Sequence, residues 1–135
     1  MIAALVITVS LTGCSTATDQ LEAAVSDAAS AVSTARLATK QQANDRTFLP
    51  TTQTALSDSI TALTQAESSA AEIEPTGRAE AELQQHALTV IRAGTDSVLA
   101  AQRTITTDAG EGLPGLAKSA GDLNKLANEL EQATR

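Results

Sequence analysis

Few side chains in this 135-residue sequence are of the types that carry out chemistry. Cys14 is the only cysteine and His86 the only histidine, so a Ser–His or Cys–His nucleophilic pair has one imidazole available as its base. Glu82 precedes His86 by four residues, which places both side chains on one face of a helix. A metal site in a helical bundle uses more ligands of this kind, and the sequence has no second histidine. We therefore expect a surface histidine in contact with Glu82, no metal ion, no cofactor and no enzymatic activity.

Acidic residues gather around one predicted turn between helices. A calcium-binding loop alternates Asp and Asn at short spacing with a glycine, whereas the acids here fall on the flanks of predicted helices. Two of them lie in the first turns of a helix, where the helix dipole favours a negative charge. We expect a solvated acidic surface rather than a cation site, formed by Glu67, Glu72, Glu74, Glu80 and Glu82.

The glycine-rich segment 108–115 is a candidate phosphate-binding loop. Asp108 and Glu111 lie within it and would repel an anion. We expect a flexible connection between two helices.

Phe48 is the only aromatic residue, and it stands beside Leu49 in a predicted turn. Such a pair could form the apolar centre of a small contact surface for a partner. Alternatively, Leu49 packs at the start of the second helix while Phe48 covers the end of the core. We favour the second interpretation and keep Phe48 and Leu49 as candidate partner contacts.

The sequence begins with an uncharged apolar segment, residues 2–11, which is too short to span a bilayer as a helix. It has the length of the apolar region of a signal peptide. The residues that follow it, Leu11-Thr12-Gly13-Cys14, resemble the lipobox of bacterial lipoproteins. The resemblance implies a signal peptide over residues 1–13, a diacylglyceryl group on Cys14, and a mature protein held by lipid on the outer face of the cell membrane. The alternative is a buried strand or helix that contains a small buried cysteine.

A signal peptide normally has Lys or Arg before its apolar region, and here only Met1 precedes it. We expect that the true start codon lies upstream, together with a basic segment; the alternative is an inactive fragment. A single cysteine allows no intramolecular disulfide, so the exported domain would be stable without a covalent crosslink.

Composition excludes several classes of protein. One aromatic residue among 135 argues against an all-β fold, which uses aromatic and β-branched pairs on its sheets. The net charge of −7 and the lack of stacking residues argue against nucleic-acid binding. With 42% hydrophobic and 19% charged residues, the chain is not typical of a disordered protein.

Apolar residues after Cys14 recur with alternating spacings of three and four, which is typical of amphipathic helices. We predict an all-α, antiparallel up-down-up-down four-helix bundle over residues 19–135, with residues 14–18 as a short tether. The first helix begins at an N-cap Asp19 and ends near residue 44; the second begins near residue 51 or 52, because Pro50 disfavours helix at Leu49. The third extends from Arg78 to about residue 107, and the fourth contains Leu116 to Leu130.

Each predicted helix has one inner face, and Gly94 within the third helix allows close approach of a neighbour. The predicted inner faces comprise Leu21, Val25, Ala28, Val32, Ala35 and Thr39; Leu56, Ile60, Leu63, Ala70 and Ile73; Leu83, Ala87, Val90, Ile91, Val98, Ala101 and Ile105; and Leu116, Ala120, Leu123, Ala127 and Leu130.

Two classes of function follow from these expectations. The first is a membrane-anchored interaction or scaffolding module that binds another protein of the cell envelope, with a homodimer left open. The second is a sensory bundle that binds a small apolar ligand between its helices, which would require an internal cavity of roughly 300 Å³ or more.

Overall fold

The computed structural model describes residues 16–135, and the predicted signal peptide, the lipobox and Cys14 lie outside them. Within the described residues the chain forms four helices and no strand: α1 (Ala17–Ala43), α2 (Leu49–Ala71), α3 (Arg78–Thr104) and α4 (Leu113–Ala133). The short connections place consecutive helices antiparallel. The prediction of an all-α, up-down-up-down four-helix bundle is confirmed.

Helix α1 begins three residues earlier than predicted, because its N-cap is Thr16 and not Asp19. The Thr16 side chain accepts a hydrogen bond from the Asp19 backbone N–H at 3.2 Å, and the Asp19 carboxylate accepts one from the Thr16 N–H at 2.9 Å. This reciprocal arrangement is a capping box, in which Asp19 occupies the third helical position. The helix therefore begins three residues after Cys14.

Helices α2 and α4 both begin with a leucine followed by a proline. The prediction that α2 begins at residue 51 or 52 is wrong, since Leu49 is already helical and Phe48 is the N-cap. Proline is accepted in the first turn because the N–H groups there have no partner within the helix. Helix α3 ends at Thr104, about three residues before the predicted end.

The four helices of the bundle are not equally spaced in cross-section. Helix α1 contacts each of the other three helices, whereas α2 and α4 do not approach each other within the described residues. Many of the buried residues of α1 are alanines, which lets neighbouring backbones come close. Gly94 of α3 is buried at this centre, and a Cβ there would lie 3.1 Å from Val32 Cγ2 and 3.3 Å from Leu123 Cδ1. The close approach predicted at Gly94 is thus confirmed.

The predicted inner faces form most of the core. Val25, Leu56, Leu63, Ile91 and Leu123, among others, are fully buried. Four of the predicted residues are only partly buried at the edge of the core, namely Ile60, Leu83, Val90 and Ala127. Two leucines outside the predicted faces are buried instead, Leu88 and Leu126. A helix that packs against two neighbours buries a sector wider than a single stripe of three-four spacing.

Gly112, at the start of α4, lies directly against the backbone of α3. A Cβ at this position would lie 2.7 Å from both the Cα and the Cβ of Ala101. The φ angle of Gly112 is −77°, which any residue adopts, so this position requires a small residue and not the conformational freedom of glycine.

Buried polar side chains join the helices at a few points. Gln84 of α3 is buried, and its Nε2 donates to the carbonyl oxygens of Ala70 at 2.8 Å and Ile73 at 2.7 Å. The Ala70 carbonyl belongs to the last turn of α2, whose final C=O groups have no partner within the helix, and the Ile73 carbonyl belongs to the connection that follows. Gln84 therefore fixes the α2–α3 connection onto α3.

Candidate interaction surface

Phe48 is 83% exposed, so the prediction that it covers the end of the core is wrong. As the N-cap of α2, Phe48 has an extended backbone with φ −87° and ψ 141°. Leu49, the next residue, is partly buried and packs against the core. Of the two candidate partner contacts, Phe48 therefore has its ring free for a contact, while Leu49 holds the start of α2.

Leu37 of α1 is a second large apolar side chain at the surface, 57% exposed, and it is not among the candidate contacts predicted from the sequence. It lines a shallow groove between α1 and α2 together with Thr47, the residue before Phe48. The sequence could have indicated that Leu37 is exposed, because this residue falls outside the spacing that joins Val32, Ala35 and Thr39 on the inner face. Leu37 and Phe48 are thus exposed at the same end of the bundle.

The His86 ring is exposed on α3. The Glu82 carboxylate accepts a hydrogen bond from Arg78 Nε at 2.9 Å, so its partner is this arginine and the expected contact with His86 is not formed. Residues 16–135 contain no group of three or more His, Cys, Asp or Glu side chains close enough to hold a metal ion. The structure thus brings no further ligand to His86.

Three of the five acidic residues near the α2–α3 turn, Glu67, Glu80 and Glu82, have separate partners. Glu80 Oε2 accepts hydrogen bonds from the Thr76 hydroxyl and the Thr76 N–H, both at 2.7 Å. These bonds, the hydroxyl first, lower the pKa of the Glu80 carboxyl below its ordinary value because they stabilise its charged form. Glu67 pairs across the helices with Arg92 Nε at 2.6 Å. Glu80 therefore acts as a cap of the connection and Glu67 as an ion-pair partner, while Glu72 and Glu74 are exposed.

The segment 108–115 forms the connection between α3 and α4 and the start of α4. The Asp108 carboxylate accepts a hydrogen bond from the Gly110 N–H at 2.9 Å. A carboxylate thus occupies a backbone donor that a phosphate-binding loop would offer to its ligand. This agrees with the expectation that the segment is a connection.

Five basic side chains form ion pairs with carboxylates in the described residues. Four of these pairs join residues four apart on one helix or at its end: Arg78–Glu82, Lys118–Asp122, Lys125–Glu129 and Arg135–Glu131. The fifth is the Arg92–Glu67 pair between α3 and α2. Exposed pairs of this kind contribute little to stability, about 0–1 kcal/mol each. They show where the positive charges of the bundle are already neutralised.

The larger hollows that we find on the described residues are open grooves. One of about 460 Å³ lies between α1 and α2 and is lined mainly by serine, threonine, alanine and aspartate side chains, including Asp27 and Asp58. Another of about 410 Å³ lies between α1 and α4, beside Arg36 and Lys40. A more enclosed pocket near Leu21 and Ile73 measures only about 10 Å³. The enclosed pocket is therefore far smaller than the cavities that small ligands fill, and the two grooves are open to solvent.

None of the four helices in residues 16–135 combines the length and the hydropathy that crossing a bilayer requires. Comparison of the chain with protein-family models, with curated proteins and with solved structures gives no match.

Proposed function

We propose that this chain is a membrane-anchored lipoprotein of the cell envelope whose helical bundle is an interaction or scaffolding module. The observation that carries the proposal is the position of Leu11-Thr12-Gly13-Cys14 at the end of an apolar segment. In bacterial lipoproteins this pattern marks the cysteine that is acylated and becomes the first residue of the mature protein. Membrane attachment is then supplied by the lipid on Cys14.

The start of α1 supports a close attachment. Only Ser15 and Thr16 separate Cys14 from the first residue of α1. Two extended residues span about 7 Å, so an acylated Cys14 would keep the α2–α3 turn and the end of α4 beside the bilayer. The opposite end, with Phe48 and the α3–α4 connection, would lie about 40 Å away along the 27-residue helix α1.

An interaction module is favoured over a sensory bundle because the described hollows are open grooves, and the core between the helices is filled by leucine, isoleucine, valine and alanine. The small-ligand hypothesis would gain support if the folded domain bound a hydrophobic dye in a solvent-shielded manner. We keep a protein partner as the proposal.

The test compares the native chain with Cys14→Ser, both expressed with a basic segment restored before the apolar region. Membrane fractionation and the mass of the N-terminal peptide are measured. We expect diacylglyceryl on Cys14 and membrane association for the native chain, and neither for Cys14→Ser. If both chains are soluble and unmodified, the anchoring proposal fails. A photo-crosslinker at position 111, which is exposed in the α3–α4 connection, that reaches only lipid would refute the proposed orientation.

A further inference from the structure

The basic side chains that lack a carboxylate partner are concentrated at one end of the bundle. We define the Phe48 end as residues 36–54 and 103–115, and the Pro75 end as residues 16–24, 70–83 and 127–135. Outside the Phe48 end, each basic side chain of residues 16–135 forms one of the five ion pairs. The four remaining ones are exposed and form no side-chain hydrogen bond or ion pair within the described residues: Arg36, Lys40, Arg46 and Arg103.

The helix dipole explains the positions of only two of these four basic residues. Lys40 and Arg103 lie in the last turns of α1 and α3, where the negative end of the helix dipole favours a cation. Arg36 lies four residues before Lys40, and like charges at this spacing destabilise a helix. Arg46 lies in the connection between α1 and α2. Neither Arg36 nor Arg46 thus has a partner in the fold that would favour its charge.

The Phe48 end also contains three carboxylates, on Asp45, Asp108 and Glu111. Four cations against three anions leave too little net charge for strong attraction to a uniformly anionic lipid surface. Interspersed charges of both signs instead suit a partner whose carboxylates have fixed positions. Three of the four cations are arginines, whose planar guanidinium can pair with a carboxylate through two hydrogen bonds.

The negative charge of the Pro75 end does not offset the unpaired positive charges of the Phe48 end. It has eight carboxylates and two arginines: Asp19, Glu22, Glu72, Glu74, Glu80, Glu82, Glu129 and Glu131 against Arg78 and Arg135. The two ends are separated by about 40 Å, the length of α1. Exposed charges are screened beyond about 8 Å at physiological ionic strength. A molecule that approaches the Phe48 end therefore responds to the charges of that end.

We propose that the Phe48 end binds an acidic segment of another protein, with Phe48 and Leu37 in apolar contact and the unpaired arginines paired with carboxylates of that segment. Phe48 is 83% and Leu37 57% exposed, and they are the large hydrophobic side chains that the described residues leave at the surface. Aromatic and arginine side chains are enriched at protein interfaces and contribute most of their binding energy. The inference deepens the proposed function, since it assigns the contact surface and the chemistry of the partner.

The test is photo-crosslinking in the cells that make the protein, with the full chain and benzoylphenylalanine at position 48. The substituted residue is itself a large aromatic, so it preserves the apolar contact. The control carries the same crosslinker at Ala71, which is exposed at the Pro75 end. Crosslinked products are identified by mass spectrometry, which also maps the partner peptide joined to position 48.

Two matched triple variants test the role of charge. The first is Arg36→Gln, Arg46→Gln and Arg103→Gln, which removes unpaired cations of the Phe48 end. The second removes three cations that form ion pairs elsewhere and changes the net charge equally: Arg78→Gln, Lys125→Gln and Arg135→Gln. Circular dichroism of each purified chain checks that the helices are retained.

We expect a crosslinked partner at position 48 that is absent for position 71, with several Asp or Glu residues in the joined peptide. Its yield should fall at least about tenfold in the first triple variant and by less than about twofold in the second. A crosslink only to lipid, to a second copy of the chain or to a peptide without carboxylates would overturn the proposal, as would equal yields in the two variants or no product above the control. Because the crosslink is read on the same chain whether or not Cys14 carries lipid, its failure is distinguishable from failure of the anchoring proposal.

Discussion

Substitution of Gly112 by alanine tests whether α4 packs as closely on α3 as the structure indicates. The added methyl carbon would lie 2.7 Å from the Cα and the Cβ of Ala101, a separation that non-bonded carbons do not adopt. Ala101 is fully buried in the last turn of α3, and the contact involves its backbone, which cannot rotate away as the end of a flexible side chain could. Either α4 or α3 must shift, and overpacking of this kind costs about 1–3 kcal/mol.

Two other glycines separate this steric effect from the intrinsic preferences of alanine. Gly77 is the N-cap of α3, as Gly112 is of α4, and a Cβ at Gly77 would meet nothing within 4 Å. Gly77→Ala therefore measures only the loss of a glycine N-cap, up to about 1 kcal/mol. Gly121 lies exposed within α4, also with nothing within 4 Å, so Gly121→Ala should stabilise the helix by about 1 kcal/mol.

The assay is urea and thermal unfolding of residues 16–135 followed by circular dichroism at about 222 nm, since four helices dominate the signal. The chain has no Trp or Tyr, so intrinsic fluorescence is of no use. A change of 1 kcal/mol corresponds to about 4 °C in Tm for a domain of this size. We expect Gly112→Ala to melt about 4–12 °C below Gly77→Ala, and Gly121→Ala to melt above the native chain. Equal stability of Gly112→Ala and Gly77→Ala would refute the close contact between α4 and Ala101.

Three further predictions use the same unfolding assay. Gly94→Val should lower the free energy of unfolding by roughly 2 kcal/mol or more, because the position faces side chains of three neighbouring helices. A change of less than about 0.5 kcal/mol, which is typical of a surface substitution, would contradict this. Gln84→Glu should cost about 2 kcal/mol at neutral pH, because a carboxylate would face two carbonyl oxygens, whereas the exposed neighbour Gln85→Glu should change little. The loss in Gln84→Glu should shrink as pH falls and the introduced carboxyl becomes protonated; a pH-independent loss would count against the hydrogen bonds. Because the folded pKa of Glu80 is lowered, its contribution to stability is complete above the ordinary glutamate pKa of about 4.3 and is lost as pH falls through the lower folded value. The stability difference between the native chain and Glu80→Gln should therefore disappear in acid, and a difference that is the same at all pH values would disprove the role of the Glu80 charge. Thr76→Val should reduce this difference at neutral pH, because it removes the hydroxyl that donates to Glu80.

The helices and most of the core followed from the sequence because the periodicity of apolar residues is a local property. Val25, Val32, Leu56 and Leu63 are buried as predicted, since any arrangement that covers the apolar face of a helix covers them. The helix ends were less accurate. At Thr16 and Leu49 the local chemistry allows more than one N-cap, and the choice between them depends on small differences in free energy.

The candidate interaction surface was only partly predictable. Phe48 was recognised as unusual, but whether a turn residue is covered depends on how far the neighbouring helices extend past it, and here Phe48 is 83% exposed. The pairs between residues four apart, such as Lys118–Asp122, are visible in the sequence. The Arg92–Glu67 pair joins residues 25 positions apart, and no local pattern indicates it.

The sequence by itself determined that the described chain is helical, where the helices lie and which face of each is apolar, because these depend on spacing along the chain. The lipobox resemblance of residues 11–14 is likewise a matter of sequence alone. Only the tertiary structure decided that α1 contacts all three other helices, that Gly112 lies against Ala101, and that the unpaired cations share one end with exposed Phe48. These properties depend on how helices distant in sequence are rotated and placed against one another, and that is settled by the packing of all four helices together.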